Sequence, residues 1–383
     1  MTVGTSAGLQ YESRIKSRLA SRITFRVTPR IGSRPAPLGL SVIAGDQRMA
    51  RRFAGARVPG LLLAVIGIAL CQHAMGASTD ARESATSDAV ALLVRIQHAA
   101  QRENYTGIFI YQQGNQVLSS RVTHVADKTG EHEKLELLDG QVREFIRHND
   151  EVRCYVPDSK LILVEKRARY DSFPALLTST PSDIDQYYRL TSEGVDRIAG
   201  RMAQAIKLEA RDKQRYGYRL WFDRDSSLLL KAQTVNDRGV VIEQVGFTDV
   251  VIGGAVDRAK IKPSSSNTDG WRTETSNMTP IDLARAGWSV GQPIAGFHKV
   301  MEVRRAFGGR EDVGQIVYSD GLAAVSIFIE SAPPPGAAEG DASKGPINVV
   351  TRRLGEYWLT VVGDLPAASV RQMASTVAYK APK

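Results

Sequence analysis

The spacing of hydrophobic residues changes along the chain, and each change predicts a structural element. Between Ser87 and Ala100 apolar residues recur every three to four positions, which predicts a helix with one buried face. From Tyr105 to Val250 the period is two, and turn pairs such as Gly114-Asn115 interrupt it roughly every ten residues. This pattern predicts an antiparallel meander of short strands. The runs 108–111 and 161–164 are apolar on both faces, so both faces of these strands should be covered.

The second half of the chain follows a segment without periodicity. Residues 253–277 are rich in Gly, Ser, Asn, Asp and Thr, which is typical of a linker. Thr279 as an N-cap, Pro280 in the first turn and Gly287 at the end predict a short helix. Five strands are predicted between residues 300 and 362, and a last helix begins at Pro366. Residues 332–346 are rich in Pro, Gly and Ala and predict a mobile loop.

These elements predict an α+β fold with two domains. The first domain, residues 84–252, is expected to be a strongly curved antiparallel half-barrel sheet with helices on its concave side. A sheet of this length needs a concave side filled by helices or by a ligand. The second, residues 278–383, is expected to be a smaller α+β domain.

The charge distribution separates an N-terminal region from the rest of the chain. The net charge is +9, but residues 1–77 hold 11 Lys and Arg against 2 Asp and Glu, and the remaining 39 basic and 39 acidic residues cancel. The two domains therefore carry no overall positive charge, and nucleic acid is not an expected partner.

Residues 49–77 have the order of a secretory signal peptide. Three arginines between residues 51 and 57 precede the uncharged run 58–70, which is too short to span a bilayer, and small residues follow it. An uncleaved anchor is the alternative. Residues 1–48 form an Arg-rich extension, which indicates a start codon assigned too early or an unusually long n-region. The protein is therefore expected to be exported.

Three features of the sequence resemble parts of catalytic or metal sites, and none of them predicts such a site. Residues 287–291 match the G-x-S-x-G pattern of serine hydrolases, but a helix precedes Ser289 instead of a strand, and no acid lies between it and His298. His124, His132 and His148 lack metal-ligand spacing and are interpreted as surface residues. Cys154, the one cysteine after the signal peptide, is expected to be a buried thiol. The chain is predicted to be no enzyme and to need no cofactor or metal.

A set of short segments, in order, resembles the MucB/RseB family. They are Asn104-Tyr105-Thr106-Gly107, Leu138-Asp139-Gly140, Val152-Arg153-Cys154-Tyr155, Arg197–Arg201, Arg215–Asp223 and the tail Tyr357–Pro366. The similarity runs from about residue 88 to the C-terminus, and only the Arg-rich extension and the 332–346 insertion depart from it.

The resemblance implies a periplasmic regulator of an envelope-stress sigma factor. Such a protein binds the periplasmic domain of a membrane anti-sigma factor (RseA or MucA), shields it from site-one proteolysis, and is released by a lipid or lipopolysaccharide-like signal. The first domain is expected to resemble the lipoprotein carriers LolA and LolB. A periplasmic lipid or lipoprotein carrier is therefore the alternative function, and a homo-oligomer is left open.

Two sets of candidate residues follow from this interpretation. The residues expected to line the concave side and to contact a lipid, if they are not plain core, are Phe109, Tyr111, Leu161, Leu163, Tyr218, Leu220 and Phe222. The second domain and its loop are expected to contact the partner, with Trp288, Arg304 and Arg305 as candidates. Arginines of this kind are more often a solvated strand face.

Overall fold

The fold was obtained as a computed structural model, which describes residues 77–166, 173–175, 183–276, 278–291, 294–307, 310–333 and 337–382. The Arg-rich extension and all of the expected signal peptide except Ala77 lie outside the described residues. Within the described part of the chain, no helix combines the length and the apolar character that crossing a membrane requires.

The first domain is a twelve-stranded sheet preceded by a long helix. Helix α1 (Ala77–Arg102) begins ten residues before the predicted start, and the helical residues Leu93, Ile96 and Ala100 are buried on the sheet. A single-turn helix, α2 (Ile184–Tyr187), precedes the second half of the sheet. Its strands are β1 (Tyr105–Gln113), β2 (Gln116–Asp127), β3 (Gly130–Leu137), β4 (Glu144–His148), β5 (Glu151–Val156), β6 (Leu161–Lys166), β7 (Tyr188–Ile198), β8 (Arg201–Ala210), β9 (Gly217–Asp223), β10 (Leu229–Val235), β11 (Val241–Ile252) and β12 (Arg272–Ser276).

The strand order is β12-β6-β5-β4-β3-β2-β1-β11-β10-β9-β8-β7. The sheet is open at both edges and curved, and α1 packs on one of its faces. All neighbours are antiparallel except β12, which pairs in parallel with β6. The curved half-barrel sheet and the two-domain α+β fold are confirmed. Successive side chains on a strand point to opposite faces, and in β1 they alternate between buried and half-buried. The period-two pattern of the sequence reflects this alternation.

Part of the expected linker, Arg272–Ser276, belongs to the first sheet. After a 3-10 turn at Arg258–Ile261, the chain crosses the convex side and adds β12 beside β6. Trp271 packs there against Tyr155, Ile162 and Val164, which belong to the face of β5 and β6 that is not covered by α1. The prediction that the run 161–164 is covered on both faces holds for the face of Ile162 and Val164, whereas Leu163 on the other face is only half-buried.

The second domain is a seven-stranded antiparallel sheet with one helix. Its order is β13-β15-β16-β17-β20-β19-β18, and a separate two-stranded ribbon pairs β14 with β21. Helix α3 (Ala367–Thr376) buries Val370 and Met373 against one face. The strands are β13 (Met278–Pro280), β14 (Trp288–Val290), β15 (His298–Phe307), β16 (Arg310–Ser319), β17 (Ala324–Glu330), β18 (Gly340–Lys344), β19 (Ile347–Leu354), β20 (Tyr357–Gly363) and β21 (Val377–Tyr379).

Two local predictions in this domain are wrong. The helix predicted from Thr279 to Gly287 is instead the edge strand β13 followed by turns, because Met278 to Pro280 pair with Val303 to Arg305 of β15. The loop expected over 332–346 includes β18, which pairs with β19 along its whole length. In both segments, backbone hydrogen bonds to a strand elsewhere in the chain override the local composition.

Candidate functional site

The register of the first sheet puts all seven lipid candidates on one face. Residues directly opposite each other on neighbouring strands share a face, as do residues two apart on one strand. One row of opposed residues runs through Leu220, Ala232, Val245, Tyr111 and Leu118. A second row, four residues further along β2, runs through Val122, Leu135, Phe145, Cys154 and Leu163. Phe109, Leu161, Tyr218 and Phe222 are each two residues from a member of these rows.

Four of the seven candidates form a closed core with the helix. Phe109, Tyr218, Leu220 and Phe222 are buried in the same cluster as Leu93 and Ile96 of α1. Phe173 adds to this packing, with its ring centroid 5.1 Å from that of Phe109. These four side chains are therefore inaccessible to a ligand in this arrangement.

The other three candidates lie apart from that cluster. The Tyr111 hydroxyl donates a 2.6 Å hydrogen bond to the buried Glu243 carboxylate. Leu161 is buried and Leu163 half-buried on β6, at the far end of the concave face. Leu163 continues a row of half-buried residues with Phe145 and Cys154, which we call the distal strip.

Of the distal strip, sequence reasoning predicted Leu163 and missed Phe145 and Cys154. Cys154 is half-buried, not buried as predicted, and it faces the concave side with Leu163. Phe145 and Ile146 are adjacent and both apolar, so the period-two pattern alone did not show which of them lies on this face.

A charged row borders the apolar part of the face. On β2, β3 and β4 the next opposed set is His124, Glu133 and Arg147. Arg147 donates to Glu131 at 2.9 Å and lies 3.5 Å from Glu133. Burial by itself lowers the pKa of Arg147, but Glu133 and Glu131 outweigh it and hold that pKa above its ordinary value. Two carboxylates thus neutralise Arg147, and the row does not present it as an anion-binding group.

The histidines near this row differ from the sequence interpretation. His124 is fully buried, stacks on Tyr105 with ring centroids 4.8 Å apart, and donates from Nδ1 to the carbonyl of Glu103 at 2.8 Å. The interpretation of His124 as a surface residue is therefore wrong. His132 and His148 are opposed on β3 and β4 and stack with centroids 4.4 Å apart. Among the described residues, no three His, Cys, Asp or Glu side chains are grouped as metal ligands would be.

The three partner candidates lie in different environments. Trp288 is 6% exposed, and its ring centroid is 4.8 Å from those of Tyr357 and Tyr379. Arg305 is also buried and forms an ion pair with Glu165 of the first domain. Arg304 is half exposed and pairs with Asp312 at 2.8 Å. Arg304 is thus the candidate that offers its side chain to solvent.

Ser289, the centre of the hydrolase-like pattern, lies in the middle of β14 opposite Ala378 of β21. The nucleophile of a G-x-S-x-G elbow instead stands at a sharp turn between a strand and a helix. The local backbone therefore differs from that motif.

Two family models match the chain. The model described as the MucB/RseB N-terminal domain matches residues 88–265, and the one described as the MucB/RseB C-terminal domain matches residues 282–378. The chain belongs to the MucB/RseB family. The matched regions correspond to the α1-covered sheet and to the seven-stranded domain.

The chain aligns with nearly the whole length of similar MucB and RseB proteins. The sigma factor AlgU regulatory protein MucB of Pseudomonas aeruginosa is 28% identical over 310 residues, which cover 76% of this chain and 91% of MucB. The sigma-E factor regulatory protein RseB of Escherichia coli (strain K12) is 26% identical over 309 residues, which cover 79% of this chain and 94% of RseB.

Solved structures of the MucB/RseB family agree with the fold. The complex structure of Pseudomonas aeruginosa MucA/MucB matches with a TM-score of 0.60 and 26% identity, covering 77% of this chain and 100% of the matched chain. The crystal structure of MucB in complex with MucA(peri) matches with a TM-score of 0.58 and 26% identity, covering 76% and 99%.

Proposed function

We propose that this protein is a non-catalytic periplasmic regulator that binds the periplasmic domain of a membrane anti-sigma factor of the RseA/MucA kind. It shields that domain from site-one proteolysis and is released by a lipid-like signal. The observation that carries the proposal is the family membership of both domains, together with the relative MucB, which is solved in complex with MucA. The signal peptide pattern at 49–77 supports export.

The lipid would enter along the distal strip. Phe145, Cys154 and Leu163 are half-buried and apolar, and Phe145 packs against the cluster in which Leu220 is fully buried. A buried chain of about twelve carbons gains roughly 9 kcal/mol at about 0.8 kcal/mol per CH₂. Ordering and immobilisation cost on the order of 4–15 kcal/mol, so the net affinity is modest. A modest affinity allows the lipid to act as a reversible signal.

The partner surface is proposed to include Arg304. It is half exposed on β15 and already forms an ion pair with the Asp312 carboxylate at 2.8 Å. Trp288 and Arg305 would act indirectly, because both are buried and Arg305 pairs with Glu165 across the two domains.

The test is capture of the anti-sigma fragment. The protein purified from periplasmic extract is immobilised and exposed to the periplasmic segment of an RseA/MucA-like anti-sigma factor. We expect retention, and we expect the protein to slow cleavage of that segment by the site-one protease. Arg304→Glu should weaken retention about tenfold, whereas Arg285→Glu should not. Arg285 is the matched control because it is 88% exposed in the same domain and pairs with Asp282.

Failure of the wild-type protein to retain the segment would contradict the regulator proposal. If the protein instead moved lipoproteins between membranes without retaining the segment, the carrier alternative would be favoured. The intact mass of the periplasmic material also reports whether residues 1–77 have been removed.

A further inference from the structure

A turn of the second domain is inserted into the core of the first. Leu322, on the turn between β16 and β17, is 1% exposed and belongs to the same hydrophobic cluster as Leu220 and Ile96. We call residues Ser319–Ala323 the Leu322 turn. It is the part of the second domain that shares the apolar core of the concave face, so the two domains are packed through the candidate site itself.

The Leu322 turn is held together by four hydrogen bonds of its own. The Asp320 carboxylate accepts the backbone N–H groups of Leu322 at 3.0 Å and Ala323 at 2.8 Å through Oδ1. The Ser319 hydroxyl donates to the Ala323 carbonyl at 2.8 Å and accepts from the Gly321 N–H at 2.9 Å. These hydrogen bonds hold the backbone that places the Leu322 side chain in the core of the first domain.

Asp320 also holds the turn to the first domain. Its Oδ2 accepts a 2.8 Å hydrogen bond from Arg215 and a 3.0 Å hydrogen bond from the Tyr188 hydroxyl, and all three side chains are buried. Arg215 donates in addition to the carbonyl of Ala295 in the second domain at 2.5 Å. Its guanidinium carbon lies 4.6 Å from the ring centre of Tyr187. We call Arg215, Tyr188 and Asp320 the junction cluster.

The junction cluster determines how the two domains are arranged and contributes little to the stability of their contact. Burial raises the pKa of Asp320 despite the hydrogen bonds from Ala323, Arg215 and Leu322 that oppose it. The desolvation of this carboxylate thus outweighs its attraction to Arg215, as is common for buried ion pairs. When the domains separate, both charges regain water, so part of the lost attraction is recovered. Opening must break this cluster, and closure in a wrong arrangement would leave a buried charge unpaired.

We propose that Leu322 is an internal competitor for an acyl chain at the concave face. A chain that enters along the distal strip and reaches the core displaces Leu322, lifts the turn, and separates Asp320 from Arg215 and Tyr188. The domains then change their arrangement, which would alter the surface offered to the anti-sigma factor. The inference rests on the proposed lipid-released regulator and supplies its internal switch. The lipid shifts the equilibrium only by its different affinity for the two arrangements.

The arrangement of the domains is measured first without any lipid. Cysteines are introduced by Val195→Cys in the first domain and Arg285→Cys in the second, and Val195 is 49% exposed. Spin labels are attached to both, and the distance between the labels is measured by double electron–electron resonance. All variants carry Cys154→Ala. The parent protein should give one narrow distance distribution. Leu322→Ala and Asp320→Asn should each raise the separated population at least tenfold.

The matched control is Leu283→Ala. Leu283 is buried in the core of the second domain, so the substitution removes the same atoms away from the junction. It should leave the distance distribution unchanged. Asp320→Asn is the second junction variant because its Oδ1 can still accept from Leu322 and Ala323, which preserves the turn. Unchanged distributions in both junction variants would overturn the proposal.

The second measurement is the affinity for a fluorescent fatty acid of about twelve carbons. Leu322→Ala should bind this probe about tenfold more tightly than the parent, because the internal competitor is truncated. Equal affinity for the two proteins would overturn the competition and leave the lipid site standing. If neither protein bound the probe, the lipid part of the proposed function would fail as well, so the two failures are distinguishable.

Discussion

Two leucines on the concave face should respond differently to the same substitution. Leu220 is 0% exposed between the sheet and α1, whereas Leu163 is half-buried in the distal strip. Leu220→Ala removes about three buried carbons, worth roughly 2.4 kcal/mol. A residual cavity of about 60 Å³ adds roughly 1.5 kcal/mol, which gives a loss of about 4 kcal/mol. Leu163→Ala leaves no closed cavity and removes partly hydrated carbons, so its cost is about 1 kcal/mol.

The assay is urea unfolding followed by circular dichroism, with Met202→Ala as an exposed control on β8. The same variants are then titrated with the fluorescent fatty acid. Leu163→Ala should weaken its binding about fivefold to tenfold, because the distal strip loses contact area. Equal losses of stability in the two leucine variants would refute this division of the concave face into a closed core and an accessible strip.

Three further predictions concern stability and protonation. Trp288→Ala should lower the free energy of unfolding by about 3–5 kcal/mol, measured by urea denaturation, because the ring is packed in the core of the second domain; a loss below about 1 kcal/mol would contradict that placement. Burial alone raises the pKa of Asp223, but the hydrogen bonds from Arg201 outweigh it and the pKa is lowered, so this carboxylate stabilises the fold above its ordinary pKa and the effect is lost as the pH falls through the lowered value. Arg201→Gln should raise that pKa in a carbon-13 NMR titration and reduce the acid dependence of stability, and an unchanged titration would count against the pairing. Burial and the neighbouring His148 lower the pKa of His132, so stability should fall as the pH drops below the ordinary value towards the lowered one. His148→Asn should move the pKa of His132 back up in a proton NMR titration, and no movement would show that the stacked ring is not a cause.

Alternation along the chain was enough to predict the faces of the first sheet. Tyr218, Leu220 and Phe222 repeat every second residue, and the structure places them together on the buried side of β9. Which of these residues are closed off depends on α1 and on Leu322, which lie far away in sequence. Local pattern therefore predicted the face of the candidate site but not its accessible part.

The errors in the second domain have the same origin. Thr279 and Pro280 fit a helix start, yet their backbone pairs with Arg304 and Val303 of β15. Trp288 was expected at a partner surface because it belongs to the second domain, which a lipoprotein carrier does not need. Its burial depends on Tyr357, nearly seventy residues later, which no local pattern reveals.

Strand β12 determines where the first domain ends as a folded body. The matched N-terminal family region stops at residue 265, but Arg272–Ser276 pair with β6, and Trp271 covers Ile162 and Val164. A fragment that ends at residue 265 would therefore expose the unpaired edge of β6 beside an apolar patch, and we expect such a fragment to aggregate. An isolated first domain should extend through Ser276. Most of the segment that joins the two domains is thereby fixed to the first domain, which leaves little chain between Ser276 and the start of β13 at Met278.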